Sequence, residues 1–467
     1  MKKLIGIIAA VLVVALIGGG LLWNYRTGQA EVAFLDTYQI PAGELKMEVW
    51  GNKYPLHYDS YLKTAEGGVG GSKYRGSENY SRLSAWPFQY VLFDGWGMGV
   101  EYTEARGHVY ALTDQLDIDP SRKAAGGVCL TCKTPLANQM REQMGVDYFR
   151  LPYDEVHAKL PEEAKELGPA CIDCHNTEDA GLRLNRWTLE EGLTRIGKDP
   201  NKLTTQELRT LTCAQCHVTY AIPKDENKKS IDLLFPWEGG SFGNITIEDI
   251  EKTIKDNGLY EWTNKLIDMP LGHVRHPEFE LFSNQSTHWS AGLACADCHL
   301  PYQRVGSVKI SSHNLASPLK TGLEPCLQCH KQTEEELKER IFFIQDRTNH
   351  LLTKAGNGAA QAVKAIEMAM KTAGTDQDLI AEAKEFFEKA YYRVVFVSAE
   401  NSMGFHNPPE AMRVLADGLD YAYQAELKAR EALLKAGVTP PDEFDLELEN
   451  YDIDEAVLKE AVLINGR

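Results

Sequence analysis

The chain's ten cysteines fall into five C-x-x-C pairs: Cys129 and Cys132, Cys171 and Cys174, Cys213 and Cys216, Cys295 and Cys298, Cys326 and Cys329. Thiols at that spacing suit three kinds of chemistry. A disulfide would close a small, reducible ring that staples little of a long chain. Structural zinc takes two such pairs per tetrahedral site, which leaves one of five unmatched. The third is porphyrin attachment, and the next residue decides. His175, His217, His299 and His330 directly follow four of the pairs. C-x-x-C-H is the attachment motif of haem c, in which two thioether bonds fix the porphyrin edge and the adjacent imidazole lies under the iron.

The first pair reads Cys-Leu-Thr-Cys-Lys and puts Lys133 where a histidine is expected. A lysine ligates iron only as the neutral amine, and from an ordinary pKa near 10.4 its deprotonation at pH 7 costs about 4 to 5 kcal/mol. Burial and the iron bond must offset that cost. An amine has no π system and no second nitrogen to tune, so it gives iron an electronic environment unlike that of imidazole. The odd haem is therefore the one expected to bind substrate. A decayed motif is the weaker reading, because an exported free C-x-x-C among haem sites is a redox liability.

Electron-transfer haems usually take two protein ligands, whereas a catalytic haem keeps one position open. Beyond the four motif histidines the chain has His57, His108, His157, His273, His276, His288, His313, His350 and His406. Four six-coordinate haems need four of these nine, and spacing alone does not choose them.

The elements that must position this chemistry differ along the chain. Met1, Lys2 and Lys3 precede an uncharged run from Leu4 to Trp23. That pattern predicts export, through either a cleaved signal or an anchor formed by residues 4–23, within a segment assigned to 1–30. Residues 31–332 hold all five motifs, separated by turn-rich stretches, and predict a core of short helices and loops packed around porphyrin. Residues 333–467 turn rich in Glu, Lys, Ala and Leu and predict long helices: one from Thr333 to about Ala373, broken or kinked at Gly356 and Gly358, and others over about 376–399 and 409–436. The fold class is mainly α. With 49 Lys and Arg against 67 Asp and Glu, a net charge of -18 excludes a nucleic-acid-binding surface. A small anion would need a locally positive pocket.

Four C-x-x-C-H motifs with one earlier C-x-x-C-K, and an "HPE" before the fourth attachment site, resemble pentahaem cytochrome c nitrite reductase, the ammonia-forming enzyme of the periplasm. The resemblance spans about residues 45 to 435. It implies five covalent haems, with Lys133 as proximal ligand of the active-site haem. Distal ligands carry over as His108 for the haem of His217, His288 for that of His330, His313 for that of His175, and His406 for that of His299. Three pocket residues are implied. Tyr220 and His276 match the family's tyrosine and histidine, and Arg122 is the choice for its arginine, with Arg106 the alternative. Nitrite is the implied substrate, a quinol-linked membrane or soluble cytochrome the electron donor, and a homodimer through the carboxy-terminal helices the assembly. A pure electron-transfer cytochrome, or the same enzyme acting on hydroxylamine or sulfite, stays open.

Many family members hold calcium beside the active site, through a Glu-Tyr pair after the third motif and Lys-x-Gln before the catalytic histidine. Here those positions read Thr219-Tyr220 and His273-Val274-Arg275-His276. A hard cation loses a carboxylate and a carbonyl and gains a fixed positive neighbour. No calcium is expected there, and Arg275 is expected to stand in for it, supplying positive potential and donors to the same backbone oxygens.

Overall fold

A computed structural model describes residues 38–66 and 78–464, together with 6, 11–23, 73, 74 and 76. Of the expected export segment, residues 6 and 11–23 are helical, and the rest of 4–23 lies outside the described residues. Among the described residues no helix is long and apolar enough to cross a membrane.

The chain is mainly α, as its sequence leads one to expect. Between Met47 and Leu327 the helices are short, and the attachment motifs sit on them: α1 (Gly126–Thr131), α2 (Cys171–Cys174), α3 (Thr205–Ala214), α4 (Cys295–His299) and α5 (Glu324–Leu327). Their shortness has a local cause. Asp173 and Asp297, each just before the second cysteine of its motif, accept from the backbone N–H of Ala170 (2.8 Å) and Ala294 (2.7 Å). Such a link caps a single turn without extending it. Gly127 lets α1 lie against the 148–152 segment, since a Cβ there would meet the Tyr148 carbonyl oxygen at 2.1 Å. Two antiparallel ribbons complete this part: β1 (Trp262–Asn264) with β2 (Met269–Leu271), Trp262 opposite Leu271, and β3 (Tyr302–Val305) with β4 (Val308–Ser311), Tyr302 opposite Ser311.

Three long helices follow and pack on one another: α6 (Glu334–Lys371), α7 (Gln377–Ser398) and α8 (Pro408–Lys435). A capping box starts α6, with Thr333 Oγ1 accepting from Glu336 N at 3.2 Å and Glu336 Oε2 accepting from Thr333 N at 2.8 Å. The expected break at Gly356 and Gly358 does not occur, and α6 runs through both. Gly356 serves close approach instead: a Cβ there would meet the Phe88 ring at 2.4 Å. Tertiary packing outweighs a helix-propensity cost of about 1 kcal/mol. The hydrophobic core continues from Tyr80 to Val457, so haem-motif region and long helices share one interior.

Candidate haem-binding and catalytic site

The five motifs are threaded together through their sulfurs. Cys132 and Cys216 are neighbours, with the Cys216 thiol donating to the Cys132 carbonyl at 3.7 Å. A hydrogen bond with Cys295, then burial, holds the Cys213 thiol well above its ordinary pKa. Burial, then the charge of Cys326, pushes Cys298 up to about 12. Burial, Asp173, and then Cys213 and Cys216 raise Cys174 well above its ordinary value. The first, third, fourth and fifth motifs thus form a contiguous line, and the second joins it at the third. None of the ten cysteines is joined in a disulfide.

Histidines face each other beside this line. Ring centroids lie 6.2 Å apart for His108 and His217, 6.1 Å for His175 and His313, 6.4 Å for His288 and His330, and 6.3 Å for His299 and His406. An ion bonded to one imidazole nitrogen on each side at roughly 2 Å, with each ring centre about 1.1 Å behind its nitrogen, separates the centres by about 6 Å. In five of these eight rings Nδ1 faces a protein oxygen. His175 Nδ1 meets the Ala180 carbonyl at 2.6 Å, His313 Nδ1 that of Ser311 at 3.0 Å and His299 Nδ1 that of Ala316 at 3.2 Å. His406 Nδ1 lies 2.5 Å from Glu400 and His217 Nδ1 3.8 Å from Glu278. Such partners leave Nε2 as the ligating atom and fix the ring plane. Burial lowers His108, His299 and His313 to about 4, so they are neutral at pH 7, as ligation requires. At His217 burial acts the same way, but the nearby Glu278 carboxylate outweighs it and raises the group to about 9. The ring separations and Nδ1 partners fit covalent haem c, and ligation at His217 would release a proton.

Separation alone does not assign a partner, since His276 is also 6.4 Å from His217. The remaining histidines have other surroundings. The His57 ring packs edge-on to His313 at 5.2 Å, His157 Nε2 is bonded to the Lys165 carbonyl at 2.8 Å, and His350 is exposed. His273 is buried, with Nδ1 3.2 Å from the Tyr391 hydroxyl.

Around Cys129 and Cys132 the structure gathers Lys133, Arg122, Tyr220 and His276. Burial, then Glu278 in opposition, then Lys133, set His276 at about 4. Burial raises Tyr220 above its ordinary value, opposed by Arg275, with Cys129 and Cys132 next in effect. His276 has φ of 48°, in the left-handed region that non-glycine residues rarely adopt. Pro277 follows it and caps the Glu278–Ser283 helix, and Phe279 N donates to the His217 carbonyl at 3.1 Å. Arg122 lies near Cys129, with Nη1 3.4 Å from Glu101. Arg106 is not part of this cluster: it pairs with Asp114 at 2.5 Å and covers the Tyr110 ring at 4.2 Å.

Arg275 stands behind the cluster, its guanidinium 4.8 Å from the Tyr220 ring centre and 5.4 Å from that of Trp96. Both arms donate to Glu261, at 2.9 and 2.6 Å, and its backbone N–H donates to Thr219 Oγ1 at 3.2 Å. This differs from the expectation of donation to backbone oxygens. The bidentate carboxylate neutralises the charge, so Arg275 supplies position rather than net positive potential. Glu261, 14 residues before Arg275, escaped sequence reasoning because an isolated glutamate near a ribbon carries no signal of its own. Glu280 is a second such residue. Its buried Oε1 accepts from Thr219 N at 2.9 Å and Trp237 Nε1 at 2.8 Å, and burial raises it to about 8.

Comparison with known proteins agrees with this geometry. A family model described as cytochrome c552 matches residues 46–462. A cytochrome c-552 of Parabacteroides distasonis is 33% identical over 409 residues, 86% of this chain and 80% of that protein. The cytochrome c nitrite reductase subunit NrfA of Nitratidesulfovibrio vulgaris is 33% identical over 432 residues, 84% of this chain and 80% of its own. The solved cytochrome c nitrite reductase of Desulfovibrio desulfuricans, described with two calcium sites in its catalytic subunit, superimposes with a TM-score of 0.77 at 32% identity, covering 84% of this chain and 88% of that one.

Proposed function

The chain belongs to the cytochrome c552 family, and we propose that it is an ammonia-forming cytochrome c nitrite reductase with five covalent haems, exported to the periplasm. The observation that carries this reading is Lys133, set in the one attachment motif without a following histidine and surrounded by Arg122, Tyr220 and His276.

When bound, the haem c groups would pass on electrons and supply the iron that takes up nitrite. The chain's own residues do the rest. Lys133 would hold the active-site group through its neutral amine. Arg122 hydrogen-bonds the oxygens of a bent anion and gives an acidic protein its local positive charge. Glu101 keeps that guanidinium directed. His276, lowered by burial and neutral at rest, accepts a proton and passes it to an N–O oxygen as the bond breaks, with Tyr220 as a second donor. Reduction of one nitrite consumes six electrons and eight protons and yields ammonium and two waters. Haems held along the contiguous line of motifs would carry electrons to the first motif through the third, from the fourth, fifth and second.

The Arg275–Glu261 pair beside Tyr220 supports a site that works without calcium. Exposed Tyr423, Leu427 and Leu434 on one face of α8 support a homodimer seam. A quinol-linked cytochrome supplies electrons. The test is steady-state nitrite reduction by dye-reduced holoprotein with ammonium quantified. Ammonium equal to nitrite consumed supports the reading. Absence of turnover favours an electron carrier.

A further inference from the structure

Arg186 is among the largest fully buried side chains, 1% exposed, and lies in no attachment motif. Each of its three nitrogens donates to a defined partner. Nε reaches the Thr131 carbonyl at 2.6 Å, Nη2 the Thr134 carbonyl at 2.9 Å and Asp173 Oδ1 at 2.7 Å, and Nη1 the Asn185 carbonyl at 2.8 Å. Thr131 and Thr134 flank the Cys132-Lys133 dipeptide, and Thr131 ends α1, where helix carbonyls lack partners of their own. Asp173 belongs to the second motif. Gln215, in the third, donates through Nε2 to the Asp173 carbonyl at 3.2 Å and accepts from Asn185 N. One guanidinium therefore joins two attachment loops directly, and Gln215 of the third is bonded to the same Asp173 and Asn185.

The bracketing is particular to the lysine motif. Arg183 holds the Ile172 carbonyl at 2.7 Å in the second motif, and Arg209 pairs with Asp297 in the fourth, but neither spans both sides of a ligand residue. A physical reason follows from side-chain length. Histidine carries its ligating nitrogen on a rigid ring two torsions from the backbone, whereas lysine carries its nitrogen on four. An amine ligand needs a firmer backbone to meet the iron in one direction. Packing alone would be served better by an apolar residue, since burying a charge costs several kcal/mol before its partners offset it.

We propose that Arg186 is a positioning residue for Lys133, clamping the carbonyls on either side of Cys132-Lys133 and tying that loop to the second motif. This rests on Lys133 being the iron ligand, which the parent holoprotein reports first: if its EPR spectrum lacks a high-spin haem, the ligand reading fails whatever Arg186 does. Given that signal, Arg186→Lys keeps the charge and loses the two-carbonyl clamp. Expected are five attached haems, unchanged low-spin signals, a shifted or weakened high-spin signal, and kcat down about ten-fold with KM within about two-fold. In a Lys133→His background the same substitution is expected to change kcat less than about two-fold, because the residue through which it acts is gone. A parent-like high-spin signal and kcat in Arg186→Lys, or an equal loss in both backgrounds, overturns the proposal. Should Arg186→Lys fail to mature, Asp173→Asn decides. It leaves both carbonyl bonds, so the high-spin signal is expected to persist, and its loss overturns the clamp.

Discussion

Arg275→Gln tests the unit proposed to take the place of calcium. The Arg275 and Glu261 side chains are 13% and 3% exposed, and their bonds are 2.6 and 2.9 Å long. Removing the guanidinium leaves a buried, uncompensated carboxylate, which costs about 3 to 5 kcal/mol. Coulomb's law gives a similar size, about 4 kcal/mol for charges about 4 Å apart at an effective dielectric constant near 20. With an unfolding entropy of about 2.1 cal/mol/K per residue over this chain, melting is expected to fall by about 3 to 5 °C. The variant also pairs a glutamine carbonyl with the Glu261 carboxylate, two ligands suited to a hard cation. Calcium at about 100 times its dissociation constant recovers about 2.7 kcal/mol, or roughly 3 °C. The assay is a melting curve of holoprotein with chelator and with calcium. Two results refute the reasoning: an unchanged melting temperature in the variant, or a parent whose melting or activity itself depends on calcium.

Other perturbations probe separate parts. Lys133→His is expected to keep five haems attached but lower nitrite turnover at least ten-fold, measured by ammonium release; parent-like turnover contradicts a special role for the amine. Glu280→Gln tests the burial that raises Glu280 to about 8. A raised carboxyl favours the fold below its unfolded pKa near 4.3 and loses that contribution as pH rises through about 8. The variant is therefore expected to melt higher than its parent above pH 8 and to show a flatter pH profile. Gly356→Ala forces a Cβ into the Phe88 ring and is expected to destabilise by about 1 to 3 kcal/mol. Gly358→Ala, with its nearest atoms at 3.4 and 3.5 Å, is expected to be neutral or to stabilise by up to about 1 kcal/mol. Equal melting shifts for the two contradict the packing account of α6.

The haem motifs and the departure at Lys133 were legible because two-residue spacing is local chemistry that one loop expresses by itself. Long helices were legible too: a capping box at Thr333 and prolines at 408 and 409 mark ends that side chains satisfy nearby. Pairing was not legible from spacing. His108 meets His217 and His288 meets His330 only because the fold brings distant segments together, and the resemblance, rather than periodicity, named those pairs. Gly356 misled because the residue that weakens a helix is also the one that admits a neighbouring ring. Glu261 and Arg186 were invisible because each gains meaning only from a buried partner whose position no local pattern encodes.

The account turns on an amine-ligated iron with one side open to nitrite. EPR spectroscopy of the oxidised holoprotein, with and without nitrite, addresses that most directly. Expected are four low-spin haems indifferent to the anion and one high-spin signal lost or converted when nitrite binds. Five low-spin haems unaffected by nitrite contradict it.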